Sequence, residues 1–511
     1  MNLSFASPLF SSNNKCNELP GSLFVGTGRC HIYSKRTHRR TVVKESKHYR
    51  FDCIADKFLA SFFREKVPRA IPNHRTASAE GLFLCGSSVV DITPDYDDNV
   101  YLAGWGRGRL SKGVNDRLYA RAVAFQRGHV VCGMVSLDLY GLSEETMQHI
   151  RKAVKKLMDP RHLLVCCTNN HSGPDAIGLW SPRPWNLSPS HRDARDHFLA
   201  ELPQRVYDAL ARALKEARPA EMTTTNVAID PQGLVRNLKR PGLVDRHMPV
   251  LHVREFNGGP TIATVLELAC TPSILDENNQ MLSADFPHYV VSHIQDELGG
   301  VALYMTGAAV SVVPDIPLIP SFHCFGQAHE IGARIAYEVV TGLANSWRPY
   351  DAEPTVKIAS TDVYVHTGNK QYVMPRKLYE GGYTKTDVSV WALGHLVLGT
   401  VPGRALPSLG LRIKNLLRFA SPLAELSVPM LLGATNDMIG TLTTSVEYEA
   451  PGQIEERRLC PDARAGEVVQ NTLHDLVLLL LSLHDETYSD CAYDEADELL
   501  SLANTTQALY Y

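Results

Sequence analysis

Short apolar runs that end in polar loops recur along this 511-residue chain and alternate with amphipathic segments. The run HLLVCC ends in TNNHSGPD, for example, and it follows a segment of helical spacing that Ser143 is placed to cap. Strand, helix and strand in this order are typical of a βαβ unit. The alternation continues to an apolar closing helix at residues 466–483. It predicts one large α/β domain with a mixed sheet and helices packed on it.

The two ends of the chain differ in composition from this central part. Residues 1–80 are predicted to be an N-terminal extension, residues 81–483 the folded domain and residues 484–511 an acidic tail. The first fifty residues are rich in Ser, Arg and Lys, and only Glu18 and Glu45 are acidic. This composition is typical of an organellar transit peptide, such as one for the plastid. A disordered extension of a cytoplasmic protein is the alternative.

The overall composition excludes several kinds of partner. The formal net charge is -4, so no nucleic-acid partner is expected. No stretch approaches the ~18 consecutive apolar residues of a membrane-spanning helix. The chain has 11 cysteines but no C-x-x-C pair, which favours free thiols in a reducing, intracellular compartment. A homo-oligomer is compatible with these features.

The loops that follow the predicted strands hold the candidate functional residues. These loops are residues 168–175, 269–273, 307–315, 401–404 and 434–440. Ligand sites in α/β sheets lie at such strand ends. The loops combine one histidine with hydroxyl groups, carboxylates and an arginine: His171, Ser172, Asp175, Thr271, Ser273, Ser311, Asp315, Arg404 and Asp437. Zinc takes three or four His, Cys or carboxylate ligands, which this set does not supply readily.

A series of segments resembles, in order, the N-terminal catalytic domain of neutral/alkaline non-lysosomal ceramidases. The segments include VSLDLYGL at 135–142, HSGPDAIGLW at 171–180, SADFPHY at 283–289 and GAAVSVVP at 307–314. Others lie at 86–122, 402–414 and 436–440, so the resemblance extends over roughly residues 81–480. It implies the α/β fold of these zinc amidohydrolases, without their C-terminal immunoglobulin-like domain.

The zinc ligands of that family are largely replaced here. The metal positions that the resemblance implies fall on Asn169, His171, Thr271, Arg404, and Met438 or Thr441. The position of the family's serine nucleophile falls on Val313. One histidine does not hold Zn²⁺, and Arg404 repels it. We therefore expect no metal ion and no other cofactor, and a zinc-activated water is not available.

The favoured hypothesis is a repurposed, metal-independent enzyme in specialised metabolism. It would perform acid–base, amide/ester or cyclisation chemistry on an amphipathic or lipid-like small molecule. Three residues are the candidate catalytic groups: His171, Ser311 and Thr271. The candidate substrate-binding residues are Arg404, Asn169, Asn170, Asp175 and Asp437.

Two alternatives remain open at this stage. The first is a catalytically dead pseudoenzyme that acts as a binding or scaffold protein. In that case Arg404 forms an internal ion pair with Asp175, Asp315 or Asp437 in place of the metal. The second is a residual hydrolase of ceramide-type N-acyl amides.

Overall fold

The strands of this protein form two principal sheets, which a computed structural model describes for residues 75–79, 81–95, 99–182, 189–316, 324–420, 426–450, 452 and 454–482. The predicted transit peptide and acidic tail lie outside the described residues. The strands are β1 Arg75–Ala79, β2 Phe83–Asp91, β3 Gly113–Val114, β4 Tyr119–Arg127, β5 Val130–Leu137, β6 Leu163–Cys167, β7 Arg218–Ala228, β8 Val235–Asn237, β9 His247–Glu255, β10 Thr261–Leu268, β11 Met281–Leu282, β12 Val301–Thr306, β13 Val312–Pro314, β14 Val356–His366, β15 Tyr383–Leu393, β16 Leu396–Thr400, β17 Arg404–Ala405, β18 Val428–Leu432 and β19 Thr441–Leu442.

Helices flank both sheets. They are α1 Glu144–Val154, α2 Pro189–Lys215, α3 Phe286–Leu298, α4 Cys324–Ala344, α5 Pro407–Arg418, α6 Ser445–Glu449, α7 Ile454–Leu459 and α8 Ala465–Ser482. No helix within the described ranges is long and apolar enough to span a bilayer.

The larger sheet has 8 strands in the order β12-β10-β9-β7-β2-β4-β5-β6, and the smaller has 5 in the order β1-β14-β15-β16-β18. Both mix parallel and antiparallel pairs. The parallel pairs are β5 with β6 and β10 with β12 in the larger sheet, and β16 with β18 in the smaller. The carboxyl ends of parallel strands share one edge of a sheet, so the loops that follow these strands emerge together.

The two sheets pack face to face, and helices cover their outer faces. Along β18, Val428, Met430 and Leu432 belong to the core between the sheets, whereas Leu431 belongs to the core beneath α5 and α8. This alternation is the two-residue period of a strand that is buried on both faces. Helices α1 and α2 cover one part of the larger sheet, and α3 and α4 cover another.

Local predictions from the sequence agree with this architecture. Strand β5, helix α1 and strand β6 form the predicted βαβ unit, and Ser143 Oγ accepts a hydrogen bond of 3.2 Å from the N–H of Thr146. The apolar helix α8 packs into the core of the smaller sheet, so it closes that core.

Long-range pairing departs from the predictions. The predicted large mixed sheet is confirmed, and a second sheet, which was not predicted, packs against it. Strands β15 and β16 form a hairpin that turns at Gly394. Strand β1 begins at Arg75, upstream of the predicted boundary at Gly81, because it pairs with β14.

Candidate functional site

Backbone hydrogen bonds join the loops after β6, β16 and β18. Ala434 is the junction, because its carbonyl accepts 3.1 Å from the N–H of Cys167 and its own N–H donates 2.8 Å to Gly403. The loop that carries His171 and the loop that carries Arg404 are therefore neighbours, although the two residues are far apart in the sequence.

The remaining strand-end loops are tied to the same junction. The N–H of Gly433 donates 2.8 Å to the carbonyl of Thr306 at the end of β12, and the N–H of Thr271 donates 2.8 Å to Val312. All the loops that the sequence marked as candidates thus meet at one end of the two sheets.

His171 lies in an aromatic enclosure at this junction. Its ring is 5.3 Å from the ring of Trp105 and 5.4 Å from that of Tyr140, measured between centroids. The backbone of Gly104 lies against the imidazole so closely that a Cβ there would be 2.4 Å from His171 Cγ. The residue is only 7% exposed, and neither ring nitrogen has a hydrogen-bond partner among the residues that the structure describes. We name His171, Asn169, Arg404, Tyr140 and Trp105 the loop site.

Burial keeps His171 neutral. Loss of water around the ring holds its pKa well below the usual range, and the nearby guanidinium groups of Arg404 and Arg109 lower the pKa further. The imidazole therefore carries no charge at neutral pH. A neutral imidazole offers one donor and one acceptor.

Arg404 is a half-buried cation without an ionic partner in the described part of the chain. Its Nη1 donates 3.0 Å to Tyr140 Oη, and its guanidinium carbon is 5.6 Å from the centre of the Tyr140 ring. Its Nε is buried and unpaired. Strand β17, which pairs in parallel with β19, holds its backbone in place.

The carboxylates that could neutralise Arg404 are engaged elsewhere. Asp437 forms a bidentate pair with Arg376, at 2.5 and 2.8 Å. Asp315 accepts 2.7 Å from the N–H of Gly233. Asp175 accepts hydrogen bonds from the N–H groups of residues 178–181 and from the hydroxyl of Ser181. The internal ion pair that the sequence offered as one explanation of Arg404 is therefore not formed with any of these carboxylates.

Arg109 is a second buried cation, which the sequence did not single out. It is 7% exposed, and it donates 3.2 Å to the carbonyl of Asp276 and 3.0 Å to that of Asn279. Its Nη2 donates to the carbonyls of Ala103 and His171. Burial lowers its pKa to about 10. The only sequence signal was its place in the glycine-rich segment GWGRGR.

The two asparagines of the β6 loop have different environments. Both ends of the Asn170 amide form hydrogen bonds. Its Nδ2 donates 3.0 Å to the backbone carbonyl of Asp138 and 2.8 Å to that of Ser283, and its Oδ1 accepts 2.9 Å from the N–H of Ser172. Asn169 has a left-handed backbone, with φ 62°, and its buried Oδ1 has no partner. Of the two, Asn169 is the one with capacity for a ligand.

The predicted hydroxyl groups do not contact His171. Thr271 Oγ1 donates 2.8 Å to the carbonyl of Ala309, and Ser311 Oγ donates 3.3 Å to Glu456. A serine or threonine nucleophile requires a base within hydrogen-bond reach. No such pair with His171 forms among the described residues.

The loop site does not fit a zinc ion. Its only imidazole is flanked by two guanidinium groups, and no cluster of three or more His, Cys, Asp or Glu residues occurs within the described ranges. Met438 packs in the apolar core, with its Cε 2.7 Å from where a Cβ on Gly141 would be. Amide, hydroxyl, thioether and guanidinium groups do not make a zinc-binding set.

Comparison with known proteins identifies the fold. The structure matches the neutral ceramidase from Pseudomonas aeruginosa with a TM-score of 0.66 and 17% identity, covering 79% of this chain and 75% of that one. It matches a ceramidase complexed with C2 with a TM-score of 0.64 and 16% identity, covering 79% and 76%. No protein-family model and no curated protein sequence matches the chain. The chain thus has the mixed α/β fold of the ceramidase structures, as the sequence resemblance predicts.

Proposed function

We propose that this chain is a ceramidase-related protein whose loop site binds the anionic group of an amphipathic small molecule without a metal ion. The observation that carries this proposal is that Arg404 has no carboxylate partner among the described residues. A cation that is partly removed from water is stabilised by a counter-charge. An anionic ligand supplies it.

The charge balance of the site supports an anion. Arg109 adds a second positive charge, which donates hydrogen bonds to backbone carbonyls and lies within electrostatic reach of the carboxylates of Asp276 and Glu277. Asp138, the nearest buried acid in sequence to Tyr140, is paired with Arg121 at 2.7 Å. Among the described residues no carboxylate pairs with Arg404, and its positive charge attracts an anion.

Aromatic rings supply the apolar part of the site. Tyr140 stacks edge to face on Trp180, with ring centres 4.2 Å apart, and Trp105 is half-buried beside His171. Flat apolar walls next to a cation suit a molecule with an apolar part and an anionic group. We propose an amphipathic small molecule on this basis.

A metal-independent acid–base reaction is a second candidate for the same site. The observation in its favour is that His171 is neutral and has both ring nitrogens unpaired. Such an imidazole has a ring nitrogen that is free to accept a proton, and its lowered pKa makes it a weak base until a bound anion offsets the nearby positive charges. Residual hydrolysis of N-acyl amides lacks comparable support, because neither Ser311 nor Thr271 is coupled to His171.

Calorimetry on the full chain tests the anion site. Decanoate and decanamide have the same apolar tail and differ in charge. We expect decanoate to bind at least about tenfold more tightly, and Arg404→Gln to abolish this difference. Arg412→Gln, an exposed site on α5, is the matched control. Equal binding of the two molecules, or decanoate binding that Arg404→Gln leaves unchanged, would refute the proposal.

Metal content is a separate measurement. We expect plasma mass spectrometry of the purified full chain to find close to no zinc, before and after incubation with zinc and desalting. About one zinc ion per chain would contradict metal independence, and hydrolysis of N-acyl amides would then become the favoured function.

A further inference from the structure

Several polar atoms of the loop site have unused hydrogen-bonding capacity. Within the described ranges, four buried atoms have no hydrogen-bond partner: Asn169 Oδ1, Arg404 Nε and both ring nitrogens of His171. Asn169 is 1% exposed. Native proteins pair nearly all buried polar atoms, so an unpaired group of this kind indicates a ligand or a bound water. Whether each unpaired atom is a donor or an acceptor determines which hydrogen-bonding group a ligand needs.

Arg404 offers one free edge. Its Nη1 donates to Tyr140, and its Nε is buried without a partner among the described residues. Nε and the neighbouring Nη2 form the edge of the guanidinium that Tyr140 does not occupy. Two parallel N–H groups match the two oxygens of one carboxylate. The second cation, Arg109, donates from both of its Nη atoms to carbonyls. It therefore adds positive charge but no second pair of free N–H groups. One pair of parallel N–H groups suits a carboxylate better than a phosphate, because a phosphate has three oxygens that need hydrogen-bond donors.

The other unpaired atoms include acceptors. Asn169 Oδ1 accepts hydrogen bonds, and one nitrogen of a neutral His171 does so as well. A carboxylate has no donor and leaves both unpaired. The loop of Asn169 and His171 adjoins the Arg404 loop through the backbone of Ala434, and the His171 imidazole lies within electrostatic reach of the Arg404 guanidinium.

We propose that the site selects an amphipathic carboxylate with an N–H donor next to the carboxylate, which is the chemistry of an N-acyl amino acid. The carboxylate binds the free edge of Arg404, and the N–H is accepted by Asn169 Oδ1 or by the imidazole of His171. The acyl part lies toward Trp105, the half-buried ring of the site. This inference rests on the proposed function.

Calorimetry with matched ligands tests whether an N–H group next to the carboxylate of the ligand strengthens binding. The probes are N-decanoylglycine, its N-methyl analogue without the N–H, decanoate, and uncharged N-decanoylglycinamide. We expect methylation of the nitrogen to weaken binding at least about tenfold, since it removes the donor and leaves buried acceptors unpaired. N-Decanoylglycinamide should bind weakly to the parent chain because it lacks the carboxylate.

The variant Asn169→Gly links this preference to a residue. Glycine keeps the left-handed backbone of position 169, with φ 62°, and removes the amide. We expect the variant to bind N-decanoylglycine and its N-methyl analogue with nearly equal affinity. His171→Gln is the second variant, and it should narrow the difference if the imidazole shares the N–H.

The outcomes separate this inference from the proposed function. If N-decanoylglycine, its N-methyl analogue and decanoate bind equally, and all lose affinity in Arg404→Gln, the donor inference is overturned and the anion site stands. A preference for the N–H that persists in both Asn169→Gly and His171→Gln also overturns the inference. If no carboxylate binds in an Arg404-dependent manner, both proposals fail.

Discussion

The guanidinium of Arg404 donates a 3.0 Å hydrogen bond from Nη1 to the hydroxyl of Tyr140. The Tyr140 ring in turn lies 5.4 Å from the imidazole of His171. Tyr140 is 3% exposed, and it packs on Trp180, which holds the phenol in place. One tyrosine thus connects the cation and the histidine of the site, although the resemblance, whose segment 135–142 includes Tyr140, implied no role for it.

Tyr140→Phe tests this connection. The ring and its packing remain, but Arg404 loses the acceptor that orients it. A hydrogen bond of this kind contributes about 1 kcal/mol, so we expect decanoate affinity to fall roughly fivefold to tenfold with little change in stability. Calorimetry measures the affinity, and Tyr207→Phe on α2 is the control. Unchanged affinity would show that the phenol does not orient the guanidinium.

Asp175→Asn distinguishes a loop-forming carboxylate from a substrate-binding one. The carboxylate accepts bonds from the N–H groups of residues 178–181, and an amide places an N–H₂ group against some of these donors. We expect a loss of about 3 kcal/mol in the free energy of unfolding. Urea denaturation measures it, with Asp208→Asn on α2 as the control. A variant of normal stability that no longer binds decanoate would instead support the substrate-binding role predicted from sequence.

Local signals were sufficient to predict much of the fold and the region of the site. The cap at Ser143, the period of α1 and the apolar run of β6 all act over a few residues, and the βαβ unit formed as predicted. The polar loops were placed correctly at strand ends, because parallel strands bring those ends together. His171 and Arg404 consequently meet at one junction.

Partners set by distant contacts could not be predicted. Strand β1 joins the smaller sheet through β14, a segment hundreds of residues away, and its own sequence does not specify that edge. Arg109 is solvated by carbonyls of loops that only the folded chain brings near. Asp437 looked free for a ligand, but Arg376 takes both of its oxygens. The sequence shows the residue type of Arg109 and of Asp437, but the residue type is the same whether the side chain is paired or free.

A matched pair of glycine variants tests how closely the backbone approaches His171. At Gly104 a Cβ would lie 2.4 Å from His171 Cγ, and φ is 93°, whereas at Gly106 a Cβ meets nothing within 4 Å. We expect Gly104→Ala to cost about 2 kcal/mol or more and to abolish decanoate binding, because the ring must move. Gly106→Ala should change stability by less than about 0.5 kcal/mol. Urea denaturation and calorimetry check both, and equal behaviour of the two variants would contradict this packing.

The pH dependence of stability tests the environment of His171. Burial and the nearby guanidinium groups lower its folded-state pKa well below the usual value, so the unfolded chain binds a proton that the folded chain does not. Stability from this group is therefore complete above about pH 6.5 and is lost as the pH falls toward the folded pKa. Between pH 7.5 and 5.5 the free energy of unfolding of the ligand-free protein should fall by about 1.4 kcal/mol more than that of His171→Gln. Urea denaturation at the two pH values measures the difference, and His149→Gln, an exposed site on α1, should behave as the parent. If His171→Gln loses as much stability as the parent over this interval, the imidazole is solvated in the folded chain and the neutral, enclosed histidine of the loop site does not exist.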